Sequence, residues 1–361
     1  MMQSIDYAKS CCDATMNKFP ESVIIPWSFN YHSGVCLHGM EQVYLITGEE
    51  KYNKYIYDWI NQFVMPDGWI MTREQYNVDM AMATNHLLRY AETRDDVEHF
   101  KKALKLVGEE YIGWKYNQYG GLYHKAHDTN QMWLDSVYMA SLFLVRYGLY
   151  SGDRRHVALA EIQMDLLWDH ARDEKTGLLY HAWDASKQAE WANKETGCAP
   201  EFWGRALGWY VVTASMMAEI LPDGHFRDKV LGYATELCES LIKFRDEKTG
   251  MWYQVVDKGD REDNWIESSC SCLFTYAICK LIRLGVFKDD KYKEIAKKAY
   301  ESIIRDHVDA SGEFVVVKNT CIGTGVGDYP HYVGRPTKDD DMHGTGAFVL
   351  MATEYYRTFG E

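Results

Sequence analysis

The sequence predicts an all-α protein in which six αα-hairpins close into an (α/α)6 toroid, one domain spanning residues 1–361. Three observations predict it. A polar turn followed by a Gly-centred, strand-like aromatic piece recurs along the chain. An amphipathic helix precedes each such turn, and a more apolar helix follows it. Dividing 361 residues among six hairpins leaves about sixty for each, which matches the spacing of the repeat.

The repeat is clearest in ARDEKTGLLYHAWD (171–184) and FRDEKTGMWYQVVD (244–257). Weaker copies are KYNQYGGLYHKAHD (115–128), VDASGEFVVVK (308–318) and MPDGWIMTRE (65–74). The turn glycines Gly68, Gly121, Gly177, Gly250 and Gly312 are 53 to 73 residues apart. A Gly at this place supplies the positive φ that such a turn wants.

The helices ahead of the turns include KYNKYIYDWINQFV, DVEHFKKALKLVGEEYIGW and KYKEIAKKAYESIIRDHV, with IDYAKSCCDATMNKF at the start of the chain. Each carries one apolar stripe and a charged face, the pattern of an outer helix. The helices after the turns include WLDSVYMASLFLVRYG, GRALGWYVVTASMMAEIL and HGTGAFVLMATEYYRTFG. They are apolar on most faces and rich in small residues, so they belong inside. A closed ring buries all six inner helices, and no Pro/Gly/Ser-rich linker divides the chain.

Composition narrows the function. Net charge is −14 and no basic stripe occurs, which excludes a nucleic-acid partner. No stretch of about twenty apolar residues is present, so no membrane span is expected. The nine Cys form no CxxC pair and there is no HExxH, so no structural zinc is expected. No basic segment followed by an apolar run opens the chain, and a reduced cytoplasmic setting is the expectation. Twelve Trp and 14% aromatics suit a sugar-binding cleft, although large helix packings also use such residues.

In a toroid the inner helices run the same way, and their N-terminal ends meet at one mouth. The entry segments carry WSFNYHSG, REQYNVD, LYHKAHDTNQMWLD, CAPEFWGRALGW, DNWIESSCS and GDYPHYVGRPTKDDDMHGTG. The unusual side chains are concentrated there. Asp135 opens an apolar inner helix, where desolvation raises a carboxyl pKa and suits a general acid. The helix dipole alone also favours an Asp in a first turn. Asp79 opens the preceding inner helix, and a second nearby carboxylate would raise one pKa further.

His124 and His181 hold equivalent repeat positions and are expected to face one cavity, with Lys125 beside the first. Arg205 and Trp209 are four apart on one helix face. Arg205 is suited to hold a carboxylate, or to pair with Glu201. The Gly323 to Gly346 segment, with six glycines, reads as a flap over the mouth with Arg335 and His343 at its base.

The runs GGLYHK…NQMWLDSVYM, GLLYHAWD, EFWGRALGWYV and HGTGAFVLMA resemble the unsaturated rhamnogalacturonyl hydrolases, glycoside hydrolase family 105. The likeness extends over essentially the whole chain, in order. It implies the (α/α)6 toroid, no metal or organic cofactor, and an unsaturated uronic-acid oligosaccharide as partner. It also implies an unusual reaction. An aspartate protonates C4 of a C4=C5 enol ether, water adds at C5, and the resulting hemiketal opens to expel the rest of the sugar. Carried onto this sequence, the resemblance makes Asp135 the proton donor and Asp79 the second acidic residue. Tyr31, His32, His124, Lys125, His181, Arg205 and Trp209 bind the uronate and its neighbour, and Trp203 is a stacking ring. Three alternatives stand beside it: an unsaturated glucuronyl hydrolase acting on glycosaminoglycan fragments, a non-catalytic sugar-binding toroid, and a sugar epimerase using paired His bases.

Overall fold

The computed structural model describes residues 2–20 and 29–361. Its helices alternate between two concentric rings. The first hairpin is α1 (Ser4–Lys18), outer, and α2 (Tyr31–Thr47), inner. The second is α3 (Glu50–Asn61), then an inner helix built of α4 (Val78–Ala81), a 3₁₀ turn (Met82–Thr84) and α5 (Asn85–Thr93). The third is α6 (Glu98–Ile112), then a π-helical turn (Val137–Ser141) running into α7 (Leu142–Ser151). The remaining pairs are α8 (Arg154–Ala171) with α9 (Gly204–Ile220), α10 (His225–Lys243) with α11 (Ser268–Arg283), and α12 (Asp290–His307) with the last inner helix. A short helix, α13 (Tyr329–Val333), precedes that last helix, α14 (Met342–Phe359).

Each inner helix packs on the next, and α14 packs on α2, so the ring closes. The closure needs small residues. A Cβ on Gly346 of α14 would stand 2.6 Å from the Val35 backbone of α2. Opposite, a Cβ on Gly39 would meet Val349 at 2.9 Å. Among the described residues the core is one continuous cluster running through both rings. All nine Cys are buried and free. No helix among the described residues is long and apolar enough to cross a membrane.

The repeated turns form short antiparallel ladders, with bridges Val64↔Ile70, Tyr116↔Leu122 and Arg172↔Leu179. In the third hairpin it is Gly120, at φ 89°, that takes the left-handed conformation. Gly121, the residue expected there, serves close packing instead: a Cβ on it would lie 2.1 Å from the Met132 sulfur. Gly312 likewise has no positive φ.

The two ends of the barrel differ. At the C-terminal ends of the inner helices, the fully buried Glu354 carboxylate takes Lys280 at 2.9 Å and Arg283 at 2.5 Å. Glu219 joins the same pair of cations at 2.6 Å each. Glu219 and Lys280 of this network line a cavity at that end together with Glu41, Arg89 and Arg146. The other end is the mouth. There β1 (Gln131–Trp133) pairs antiparallel with β2 (Ala182–Asp184), tying the entry loops of two neighbouring inner helices together. Val308–Asp309 (β3) pairs with Val316–Val317 (β4) in the fifth repeated turn. Thr320–Cys321 (β5) pairs with Thr337–Lys338 (β6).

The β5–β6 pairing and α13 correct the expectation of a long irregular flap. The segment is a folded cover, and residues 342–346 already belong to α14. Arg335 holds the cover to itself, donating to the Gly323 carbonyl and, at 3.2 Å, to the Thr324 hydroxyl.

Candidate active site

The inner helices that open on Asp79 and Asp135 are the two with irregular turns. Asp79 lies in α4, ahead of the 3₁₀ turn, and Asp135 stands two residues before the π turn. Single π turns inside α-helices occur frequently at functional sites.

Asp135 Oδ2 lies 3.1 Å from His181 Nε2, and His181 Nδ1 lies 2.6 Å from the Tyr332 hydroxyl. The imidazole is fully buried. Burial pushes its pKa down against the pull of Asp135, so the ring is neutral near pH 7. Asp79 is held differently. Lys125 Nζ is 3.0 Å from one carboxylate oxygen and His124 Nε2 is 3.7 Å from the other. Burial alone would raise this carboxyl; His124 and Lys125 outweigh it and hold it well below the usual range. Asp79 is therefore a standing carboxylate, and the expectation of a raised pKa does not apply to it.

His124 stands behind this pair. Its Nδ1 contacts the Ser136 hydroxyl at 2.8 Å, and its ring stacks on Trp133 at 4.1 Å. His124 and His181 both meet Trp133 from equivalent repeat positions, His124 stacked on its ring and His181 in a T-shaped contact at 5.6 Å. Both are buried, and each holds an aspartate.

Arg205 is 2% exposed. It donates to the Cys321 carbonyl at 2.7 Å, the Ile322 carbonyl at 2.9 Å and the Ser269 hydroxyl at 3.4 Å. All three acceptors are neutral. Glu201, the alternative partner, pairs with Lys258 instead. Among the described residues Arg205 makes no direct ion pair; the buried Glu267 acts on it from a distance, as does Asp135, and its guanidinium keeps N–H groups for an anion.

The Cys321 carbonyl also accepts from His343 Nε2 at 3.0 Å, linking Arg205 to a second cluster. In it, His343 Nδ1 faces Asp341 Oδ1 at 2.7 Å, and the His32 ring lies 5.3 Å from that of His343. Burial and the neighbouring His343 lower His32 to about 4. Tyr31 packs on His32 at 3.8 Å. Its phenol is acted on by Asp79, Arg205, Asp135 and Asp341, so these charges converge on one space. Trp27 and Ser28 of the same entry segment lie outside the described residues. His32, Asp341 and His343 are the one group among the described residues that could hold a metal ion, with candidate ligand atoms within 4.8 Å of one another. In the structure Asp341 and His343 pair with each other.

The two predicted tryptophans lie deeper than expected. Trp203 is 1% exposed, stacked on Tyr332 at 5.7 Å and covered by the Arg205 guanidinium at 4.5 Å. Trp209 is also 1% exposed and packs on Tyr138 at 4.6 Å. Trp203 supports the site from behind, with its ring 4.6 Å from that of His181, and Trp209 belongs to the core. Trp133 is the half-buried tryptophan at the cluster. Its alternation with Asp135 along the strand-like entry could have flagged it. Tyr332 and Asp341 also went unnoticed. The Asp328-Tyr329-Pro330 start of α13 was the available signal, with Asp328 capping the His331 amide at 3.0 Å.

Residues 7–359 match the family described as Glycosyl Hydrolase Family 88. A glycoside hydrolase from family 105 of C. acetobutylicum ATCC 824 superposes with a TM-score of 0.91 at 30% identity, over 97% of this chain and 99% of that one. The chain belongs to the family 88/105 glycoside hydrolases. Among curated relatives, the unsaturated rhamnogalacturonyl hydrolase YesR of Bacillus subtilis (strain 168) is 26% identical over 319 residues, 83% of this chain and 81% of its own length. The unsaturated glucuronyl hydrolase of Bacillus sp. GL1 has the same fold, with a TM-score of 0.72 at 14% identity over 99% of this chain and 97% of that one. The six-hairpin toroid read from the sequence is the architecture of this group.

Proposed function

We propose that this glycoside hydrolase is an unsaturated uronyl hydrolase that removes a 4,5-unsaturated galacturonate from rhamnogalacturonan oligosaccharides. One observation carries the reading: Lys125 and His124 hold Asp79 as a carboxylate, whereas Asp135 pairs with the buried His181, which leaves Asp135 as the acid. Direct hydrolysis of an acetal takes one protonated and one ionised carboxyl group, which this pair would also offer; enol-ether hydration is preferred on the likeness to the unsaturated rhamnogalacturonyl hydrolase of Bacillus subtilis. Here Lys125 and His124 keep Asp79 ionised, so it serves charge and position. Hydration of an enol ether needs one acid and a water. Asp135 protonates C4, and the carboxylate so formed takes a proton from the water that adds at C5. The hemiketal then opens without further help.

Arg205 supplies the cation for the uronate carboxylate. Trp133 and Tyr31 offer ring surface to the sugar. The preference for a galacturonyl–rhamnose unit rests on the likeness to the Bacillus subtilis enzyme. It also rests on the scarcity of spare cations for sulfate. Lys125 is bound to Asp79, and Arg335 to its own cover segment. An epimerase with paired imidazole bases is disfavoured, because His124 and His181 are buried and engaged.

The test follows the ultraviolet absorbance of the enol ether in the unsaturated galacturonyl–rhamnose disaccharide, with Asp135→Asn in parallel. The parent should lose the absorbance and release rhamnose. The variant should be slower by about 10²- to 10⁴-fold, the usual worth of a general acid. Parent-like turnover by Asp135→Asn would remove Asp135 from the mechanism. Turnover of only glucuronyl disaccharides would reassign the substrate.

A further inference from the structure

We propose that Tyr332 is a positioning residue for the acid: through His181 it determines which oxygen of Asp135 carries the proton that is transferred. The inference rests on Asp135 being the proton donor.

The argument is one of hydrogen-bond polarity. The Gly327 backbone N–H donates to the Tyr332 oxygen at 3.1 Å. An amide can only donate, so the phenol's own hydrogen is left for its other neighbour, His181 Nδ1 at 2.6 Å. Nδ1 is then the acceptor. A neutral imidazole that accepts at Nδ1 carries its hydrogen on Nε2. That N–H points at Asp135 Oδ2, 3.1 Å away. Oδ2 is therefore an acceptor, and the acidic proton of Asp135 resides on Oδ1.

The opposite polarity fails at both ends. With hydrogen on Nδ1, the Tyr332 oxygen would receive two donors and its own hydrogen would have no acceptor among the described contacts. The bare Nε2 would then draw the Asp135 proton onto Oδ2, away from substrate. Burial favours the neutral forms this needs, pushing the Tyr332 phenol up and the His181 imidazole down.

The surroundings hold the relay still. Tyr332 is fully buried. Its ring stacks on Trp203, and Gln254 donates to the Tyr332 carbonyl at 3.0 Å while accepting from Trp203 Nε1 at 3.2 Å. Gly327 and Tyr332 both belong to the cover, whereas Asp135 belongs to the third hairpin. The cover thus helps set the acid.

The experiment is long-range 1H–15N NMR of the His181 ring in the full-length protein, with His181→Gln assigning the signals. Steady-state kinetics on the unsaturated galacturonyl–rhamnose disaccharide accompany it. The parent should show a bare Nδ1 and a protonated Nε2. Tyr332→Phe keeps the stacked ring and removes only the oxygen. It should lose the single tautomer and lower kcat roughly 3- to 10-fold, as expected for one hydrogen bond between neutral groups, with KM within about twofold. A protonated Nδ1 in the parent overturns the proposal. So does a Tyr332→Phe with unchanged tautomer and kcat. The parent spectrum does not depend on Tyr332→Phe, so a poorly folded Tyr332→Phe still leaves the tautomer decided. Failure of the acid assignment itself is separate and reads as parent-like turnover by Asp135→Asn.

Discussion

Replacing Arg205 with Met tests the anion site directly. The guanidinium has five N–H groups. Three hydrogen bonds, to the Cys321 and Ile322 carbonyls and the Ser269 hydroxyl, use Nη1 and one side of Nη2. The Nε–H and one Nη2–H remain, the edge that grips a carboxylate with two parallel bonds. Loss of one partner of a buried ion pair costs about 3–5 kcal/mol, so kcat/KM on the unsaturated disaccharide should fall roughly 10²- to 10⁴-fold. Stability should fall as well, because the variant loses three buried hydrogen bonds and the attraction of the buried Glu267. Initial rates from enol-ether absorbance are compared for the free uronate and its methyl ester. The parent should prefer the acid strongly, and Arg205→Met should erase most of that preference. Equal losses on acid and ester, or a kcat/KM within about threefold of the parent in a folded variant, would refute the assignment of Arg205 to the carboxylate.

Two further outcomes are expected. Gly346→Ala forces a methyl group to within 2.6 Å of the Val35 backbone, where α14 closes on α2. It should destabilise the protein by about 1–3 kcal/mol or more, read from urea denaturation, and a neutral result would mean that the ring closure is looser than its geometry. His32 is lowered to about 4 from 6.5, first by burial. The unfolded chain therefore binds the extra proton first, and the contribution present above pH 6.5 drains away as pH falls towards 4, by about 3 kcal/mol. His32→Gln should remove that part of the acid sensitivity, and an unchanged pH–stability curve would refute it.

Much of the architecture was legible because it depends on local rules. The period of apolar residues separated outer from inner helices, and the polar turn repeated with each hairpin. Parallel inner helices then require a common mouth. That is why Asp79, Asp135, Arg205 and His343, far apart in sequence, could be assigned to one region. The errors came where partners are distant. Gly120 rather than Gly121 takes the positive φ, while Gly121 gives room to Met132, a residue eleven positions away. Trp203 and Trp209 were expected at the sugar, yet packing against Tyr332 and Tyr138 buries them. No local pattern marks which face of an inner-helix Trp meets a neighbour.

The sequence by itself determined the ring of hairpins, the family resemblance and the residue types at the mouth, since periodicity and motif are properties of neighbours along the chain. Only the tertiary structure decided the electrostatic roles. Asp79 became a fixed carboxylate because Lys125 and His124 come to it from the next hairpin. Asp135 gained His181 across the β1–β2 pairing, and His181 gained Tyr332 from 151 residues away. Charge balance and hydrogen-bond polarity depend on distances of a few ångströms between remote segments, and these exist only once the ring has closed.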